Sequence, residues 1–234
     1  MSEDLFNQQK VWDFRAAHWD EWGFDVPLAP NEQELKYQQK FVKPGSDVLV
    51  LGATKGLCKA MFDISDSVTS VDFSPEAINQ FRVDGVNYVC SDWITFLESN
   101  QERYDNIVTD NGLFCLEFPA EWQRIIKAIY NSLRPNGVFC SRFFLSAQTP
   151  LKNEYINPNL SRIMPAMGKA AKSTDWTVIK SPRDEHDPYP ARYVFPPKEV
   201  VKNMFQKYIV VGELVPTYEE GEHFVTIAFQ REPV

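Results

Sequence analysis

The stretch VLVLGATKGL, residues 48–57, decides how the rest of the chain is interpreted. Its first four residues, Val48–Leu51, form an apolar run typical of a strand that is buried on both faces. Gly52 and Gly56 then flank a tight turn that leads into a helix. Turns that hold a nucleotide usually carry more glycines than this one, where ATK occupies residues 53–55. The turn is therefore either a glycine-poor cofactor loop or an ordinary strand-to-helix connection.

Downstream of this turn, short apolar strands alternate with helices. The predicted strands are 46–52, 67–74, 86–92, 104–111 and 137–146, followed by a helix over 196–207 and two closing strands over 208–215 and 223–231. Strands that alternate with helices imply right-handed crossovers and a parallel sheet with helices on both faces. We therefore predict an α/β fold whose ligands bind at the carboxyl ends of the strands.

Three of the predicted strands end in a carboxylate. Asp72 ends the second strand, Asp92 follows the third, and Asp110 ends the fourth, with Asn111 after it. An aspartate about 20 residues after a glycine turn can accept hydrogen bonds from both hydroxyls of a ribose. Asp92, next to Trp93, can accept a hydrogen bond from the exocyclic amine of a base. A single aspartate in such a place is more often a helix cap, but three in register favour a ligand site.

In this order, the motifs resemble those of the class I S-adenosylmethionine-dependent methyltransferases over about residues 45–146. They are VLVLGATKG, SVDFS, CSDW, IVTDNGLF and LRPNGVFCSRFF. The resemblance implies a Rossmann-like parallel sheet with an antiparallel last strand, S-adenosyl-L-methionine as cofactor and methyl transfer as the activity. The sequence departs from the usual G-x-G-x-G loop of the family and looks like a glycine-poor G-x-T-P variant.

The resemblance also implies roles for single residues. The acid after strand two binds the ribose, which gives this role to Asp72, and the acid after strand three binds the adenine amine, which gives that role to Asp92. Phe73 is expected on one face of the adenine and Trp93 near its edge. Apart from the resemblance, the expected place of Asp110 and Asn111 beside the first strand predicts that they hold an ammonium group or line the reaction site. The predicted cofactor-binding set is Gly52, Ala53, Thr54, Asp72, Phe73, Ser74, Ser91, Asp92, Trp93, Asp110 and Asn111.

The segments outside the motifs predict a lid and a cap. Residues 1–43 look helical and rich in aromatic side chains, and in many small-molecule members of the family such a segment folds over the cofactor as a lid. Residues 147–196 hold seven prolines and no recognisable strand, which indicates an inserted substrate cap rather than a linker. The methyltransferase domain would then span 44–234 and include this cap.

A general base would assist methyl transfer to oxygen or to a protonated nitrogen. His18 and His186 are the candidates, although a solvated loop histidine is the more ordinary explanation of either, and His223 is interpreted as structural. The segment 162–183 carries five basic residues and one acid, which is typical of a solvated face and is also compatible with an acidic substrate. The cysteines show no zinc spacing, so no metal site is predicted.

Composition limits the partners. With 24 basic and 32 acidic residues the net charge is −8, which disfavours a nucleic-acid partner. The N-terminal sequence has no signal-peptide pattern, and no apolar run reaches about 18 residues, so a cytoplasmic protein without a membrane partner is expected. The sequence leaves the oligomeric state open.

Several functions remain open at this point. The leading hypothesis is methyl transfer to an oxygen or nitrogen atom of a small molecule. A non-catalytic partner or regulatory subunit is favoured by the altered loop and disfavoured by the retained acids. An RNA or protein methyltransferase is a further alternative. An NAD-dependent dehydrogenase is disfavoured because its pyrophosphate needs a glycine-rich helix start.

Overall fold

The computed structural model describes residues 8–22, 28–146, 176–180, 189, 191–218 and 220–233. The strands are β1 (Val48–Leu51), β2 (Val68–Asp72), β3 (Asn87–Cys90), β4 (Tyr104–Asp110), β5 (Leu133–Phe144), β6 (Thr177–Lys180), β7 (Ala191–Val194), β8 (Tyr208–Leu214) and β9 (Phe224–Arg231). The helices are α1 (Gln8–Ala17), α2 (Trp19–Trp22), α3 (Glu32–Gln39), α4 (Lys55–Phe62), α5 (Pro75–Gln80), α6 (Trp93–Glu98), α7 (Ala120–Ser132) and α8 (Lys198–Met204). None of the helices in these ranges is both long and apolar enough to cross a bilayer.

The main sheet has seven strands in the order β3-β2-β1-β4-β5-β9-β8. Strands β1 to β5 pair in parallel, whereas β9 runs antiparallel to both β5 and β8. Leu51 is in register with Val71 of β2 and with Thr109 of β4. The predicted parallel sheet with an antiparallel last strand is thus confirmed. Strand order reverses between β1 and β4, which places the ligand crevice beside the glycine turn.

Strand β1 is apolar throughout because both of its faces are covered. Leu49 and Leu51 belong to the apolar cluster that contains buried side chains of α6 and α7, such as Trp122. Val48 and Val50 belong to a second cluster on the other face, with the buried side chains of α4. Alternate side chains of a strand face opposite layers, so a strand between two helical layers has no polar face.

Two sequence predictions about the later part of the chain were wrong. The segment 147–196, expected to hold no strand, contains β6 and β7, which pair antiparallel with Thr177 opposite Val194. These strands are four residues each, too short for a clear pattern among the surrounding prolines. The RPNG turn, expected to lie outside strand five, is part of β5, where a register shift against β4 accommodates it. Residues 147–175 and 181–188 of the predicted cap lie outside the described residues.

Arg142 of β5 ties the N-terminal segment to the sheet. Its side chain is fully buried, and its Nε lies 2.7 Å from Oδ1 of Asp110. Its Nη1 lies 3.3 Å from Oε1 of Glu34 in α3, whose side chain is also fully buried. The guanidinium also donates to the carbonyl oxygens of Leu28, at 3.0 Å, and Ala29, at 3.3 Å. One cation therefore neutralises two carboxylates and also donates hydrogen bonds to two backbone carbonyl oxygens of the chain that precedes α3.

We expect Arg142→Met to lower the free energy of unfolding by about 3–5 kcal/mol, because it leaves two buried carboxylates without their counter-charge. Urea unfolding followed by circular dichroism measures this loss. Arg124→Met is the matched control, since Arg124 forms an exposed pair with Glu98, and it should cost no more than about 1 kcal/mol. Equal small losses for the two variants would contradict the role given to Arg142.

Candidate active site

A cavity of about 730 Å³ lies at the carboxyl ends of the parallel strands, beneath α1. The sheet contributes Gly52, Asp72 and Asn111 to its wall, and α1 contributes Trp12 and Arg15. Pockets that enclose small molecules commonly measure about 300–1,000 Å³. The cavity therefore has the size and the place in the fold of a small-molecule site.

The glycine turn is shaped by backbone conformation and by Asp72. Gly52 has a φ of +102°, which a residue with a side chain adopts only with strain. The backbone N–H of Ala53 donates to Oδ2 of Asp72 at 2.9 Å, and the next residue, Thr54, precedes α4 as its N-cap. A Cβ at Gly52 would lie 3.5 Å from Trp93, an ordinary van der Waals contact, so the backbone conformation and not crowding requires glycine here. The turn thus requires glycine at one position, Gly52, and needs none of the further glycines that a phosphate-binding loop carries.

Asp72 is the best organised of the predicted site residues. It is buried, and its second oxygen, Oδ1, accepts the N–H of Ser74 at 2.8 Å. Each carboxylate oxygen keeps a further lone pair for a ligand hydroxyl. Burial raises the pKa of this carboxyl above its ordinary value, and the backbone N–H groups of Ser74 and Ala53 oppose the rise. The nearby carboxylate of Asp13 adds to it.

Residues after β3 have capping and packing roles as well as a place in the cavity wall. Asp92 caps α6, since its Oδ1 accepts the backbone N–H and the hydroxyl of Thr95 at 2.8 and 2.9 Å. The indole of Trp93 donates to the carbonyl of Val71 at 2.7 Å. The structure brings both residues to the same cavity as Phe73. Sequence reasoning had weighed the capping role of Asp92 against a ligand role, and the geometry leaves room for both.

Asp110 and Asn111 differ in what they offer to a ligand. Oδ1 of Asp110 accepts from Arg142 and, at 3.0 Å, from Nδ2 of Asn111. Asn111 has a left-handed backbone, with φ of 55°, and its Oδ1 is buried without a hydrogen-bond partner among the described residues. Buried amide oxygens are nearly always paired, so this one is suited to a donor from a ligand.

Two predicted residues do not line the cavity. Ser74 caps α5 through the N–H of Ala77, at 3.0 Å, and its hydroxyl donates to Asp13 of α1 at 2.5 Å. The hydroxyl of Ser91 donates to the carbonyl of Asp92 at 3.2 Å. Ser74 therefore fixes α1 to the rim, and Ser91 lies outside the wall.

An aromatic wall beside the ends of β4 and β5 was missed by sequence reasoning. It consists of Trp12, Phe114, Phe144 and Tyr193, with Arg15 among them. Phe114 stacks on Tyr193 with ring centroids 5.0 Å apart. The aromatic richness of the N-terminal segment signalled one side of this wall. Tyr193 gave no signal, because it lies in the segment expected to hold no strand.

The histidines lie apart from this wall or outside the described residues. Nδ1 of His18 lies 2.8 Å from the carbonyl oxygen of Phe14, and the two rings stack at 4.3 Å, away from the cavity lining. His186 lies outside the described residues. His223 is buried, with Nδ1 3.0 Å from the carbonyl oxygen of Leu145, as a structural histidine would be. No cluster of His, Cys, Asp and Glu side chains in the described ranges could hold a metal ion.

Comparison with known proteins finds one family model that is similar to part of this chain. Residues 49–141 match a family model described as a methyltransferase domain. The matched segment runs from β1 into β5 and contains the three acids at the strand ends. Over these residues the chain is similar to a methyltransferase domain, and its sheet has the class I methyltransferase fold. A search of curated proteins found no match.

Solved structures share the fold of this chain at low identity. N-methyltransferase NodS from Bradyrhizobium japonicum, in complex with S-adenosyl-L-homocysteine, has 14% identity and a TM-score of 0.62 over 96% of this chain and 98% of that chain. The 1,6-didemethyltoxoflavin-N1-methyltransferase of Burkholderia thailandensis has 16% identity and a TM-score of 0.58 over 99% and 93%. A candidate Zn-dependent alcohol dehydrogenase from Rhodobacter sphaeroides has 16% identity and a TM-score of 0.69 over 96% and 98%. At such identities the likeness shows the fold alone.

We expect Gly112→Ala to lower the free energy of unfolding by about 1–3 kcal/mol, because the new Cβ would overlap the ring of Trp93 and lie 2.9 Å from the hydroxyl of Thr109. Gly56→Ala is the matched control. It lies in α4, with its nearest neighbour, Leu35, 4.0 Å from the added Cβ, and should raise stability by about 0.5–1 kcal/mol. Thermal and urea unfolding compare the two, and equal effects would contradict the packing described for Trp93.

Proposed function

We propose that this methyltransferase transfers a methyl group from S-adenosylmethionine to an oxygen or nitrogen atom of a small molecule bound in the same cavity. The observation that carries the proposal is the cavity itself, which joins the acidic strand ends to the aromatic wall within about 730 Å³. A cavity between a sheet rim and a helix suits a small acceptor better than a polymer, which needs an open groove.

The residues present fit the cofactor. Asp72 would accept the ribose hydroxyls with its remaining lone pairs, and Phe73 and Asp92 would surround the adenine. The turn at Gly52 would let the methionine part approach the backbone, and the unpartnered oxygen of Asn111 would accept from the ammonium group. S-adenosylmethionine supplies a methyl group activated by a positively charged sulfur. Acidic and aromatic surroundings favour such a charge.

The chain itself would contribute alignment and exclusion of water, which dominate methyl transfer. Helix α1 is placed for this, since it is bonded to both rims of the cavity. Asp13 accepts from Ser74 on the cofactor side, and Nε2 of Gln8 donates to the carbonyl oxygen of Arg192 at 3.1 Å on the other side. These contacts support the proposal that residues 1–43 act as a lid and 147–196 as a cap. Of the two candidate bases, His18 lies outside the cavity lining and would have to move to reach an acceptor, and His186 stays a candidate.

A small-molecule acceptor also agrees with what related folds bind. The structure of the Burkholderia enzyme holds 1,6-didemethyltoxoflavin and S-adenosylhomocysteine. We take that complex as an analogy for the volume available here and not for the identity of the acceptor.

We expect Asp72→Ala to weaken binding of S-adenosylhomocysteine about tenfold or more, because it removes the charged acceptor for the ribose and the anchor of the Ala53 N–H. Isothermal titration calorimetry measures the affinity. Asp66→Ala removes an exposed aspartate from the turn before β2 and should leave the affinity unchanged. Undiminished binding by Asp72→Ala, or absence of binding by the unmodified chain, would refute the proposed cofactor site.

Affinity for S-adenosylhomocysteine should fall as the pH drops through the pKa of Asp72, because only the ionised carboxylate accepts both hydroxyl protons. Burial raises this pKa, so the loss should begin at a less acidic pH than for an exposed aspartate. A raised pKa means that protonation relieves the cost of burying the charge, so this group does not destabilise the fold on acidification. Calorimetry and unfolding curves at matched pH therefore separate the two effects, and a flat affinity profile would argue against Asp72 as the acceptor.

A further inference from the structure

We propose that Arg15 and Tyr193 form an oxyanion subsite and that the methyl acceptor is an anionic molecule with a flat apolar body. This inference deepens the proposed function and rests on it. It starts from a positive charge on the cavity wall for which the described protein provides no counter-charge.

The guanidinium of Arg15 is held by neutral groups. Its Nη2 donates to the hydroxyl of Tyr193, and its Cζ lies 5.3 Å from the ring centroid of Trp12 and 5.6 Å from that of Tyr193. Its Nε is buried without a hydrogen-bond partner among the described residues. Among all residues that the structure describes, no ion pair includes Arg15.

Arg15 is partly buried, and a cation that has lost part of its water is stabilised by an accompanying anion. The cavity contains a comparison in Arg192, which also lines it. Arg192 has carboxylates of its own, with Nη1 3.2 Å from Glu117 and Nη2 3.9 Å from Glu121. Of these two arginines, Arg15 is the one whose charge is left for a ligand.

Tyr193 adds a second donor at the same point. Its hydroxyl oxygen accepts from Arg15, so its own proton is free to be donated to a ligand. Tyr193 is buried, and burial raises the pKa of its hydroxyl, while Arg15 opposes the rise. A neutral hydroxyl beside a planar guanidinium is suited to a carboxylate or a similar oxyanion, which accepts two hydrogen bonds in one plane.

The rings around this pair define the rest of the acceptor. Phe114 stacks on Tyr193, and Phe144 lies 5.0 Å from Phe114 between ring centroids. These residues come from the 3₁₀ turn after β4, the end of β5, and β7. They lie on the side of the cavity away from Asp72, and they favour a flat apolar body over a sugar or a peptide.

The anion in this subsite could come from a second source, since the methionine part of the cofactor also carries a carboxylate. The position of Tyr193 and Phe114 beyond the ends of β4 and β5 favours the acceptor. The experiment therefore has one arm for each source of the anion.

In the first arm, chain saturated with S-adenosylhomocysteine is titrated with benzoate and 2-naphthoate and with their neutral amides, followed by ligand-observed NMR. We expect the acids to bind about tenfold more tightly than the amides. The preference should disappear in Arg15→Gln, fall in Tyr193→Phe, and persist in Arg15→Lys and in the exposed control Arg124→Gln. Equal binding of acid and amide, or no binding of either acid, would overturn the proposal.

In the second arm, Arg15→Gln is titrated with S-adenosylhomocysteine and with 5′-methylthioadenosine, which lacks the amino-acid part. We expect both affinities to stay within about twofold of the unmodified chain, which also shows that the variant is folded. A tenfold loss confined to S-adenosylhomocysteine would assign the guanidinium to the cofactor carboxylate and overturn the acceptor assignment. Failure of the unmodified chain to bind S-adenosylhomocysteine would instead refute the proposed function.

Discussion

The buried guanidinium of Arg142 is the interaction on which the sheet and its N-terminal segment both depend. It joins the end of β4, through Asp110, to α3, through Glu34. Glu34 also accepts the backbone N–H of Asn31 at 2.9 Å, so the carboxylate that neutralises Arg142 is also part of the N-terminal capping box of α3. Neither acid can lose this cation without leaving a charge in the interior. The arrangement fixes the chain before α3 at the rim of the sheet, where it contributes Leu28 and Ala29 to the cavity wall.

Because Arg142 neutralises Asp110, that carboxylate is not free to bind a ligand, and other charged groups of the cavity wall take that role. Asp72 presents a carboxylate at the sheet rim, and Arg15 presents a guanidinium at the aromatic wall. Asn111 lies at the sheet rim with an uncharged acceptor. A cation-bearing cofactor and an anion-bearing acceptor would then each meet the opposite charge, with α1 across both. The pairing of Arg142 with Asp110 and Glu34 thus determines which acids remain free to bind a ligand. Which acids these are depends on contacts between distant residues and cannot be deduced from residue type.

The sequence patterns predicted what local rules control. The order of strands, the apolar β1, and the Ser74-Pro75 start of α5 follow from periodicity and capping, which act within a few residues. The patterns failed where pairing is distant. Arg15 and Tyr193 are 178 residues apart, and Arg142 and Glu34 are 108 apart. The sequence of a helical segment does not show which of its charged side chains becomes buried in the fold. The strands β6 and β7 have four residues each and form by pairing with each other, so neither carries a pattern that predicts it alone.

The loop after β1 can have few glycines because the proposed cofactor has no phosphate for it to bind. A phosphate cradle needs several backbone N–H groups directed at one anion, and hence several glycines. Here one of those N–H groups, that of Ala53, is already committed to Asp72, and Thr54 starts α4 directly. At the cavity rim, glycine is required at Gly52 by its φ of +102° and at Gly112 by the ring of Trp93. A single glycine therefore suffices for this turn, and the residues that follow it, Ala53 and Thr54, bond to Asp72 and begin α4 instead of forming a phosphate cradle.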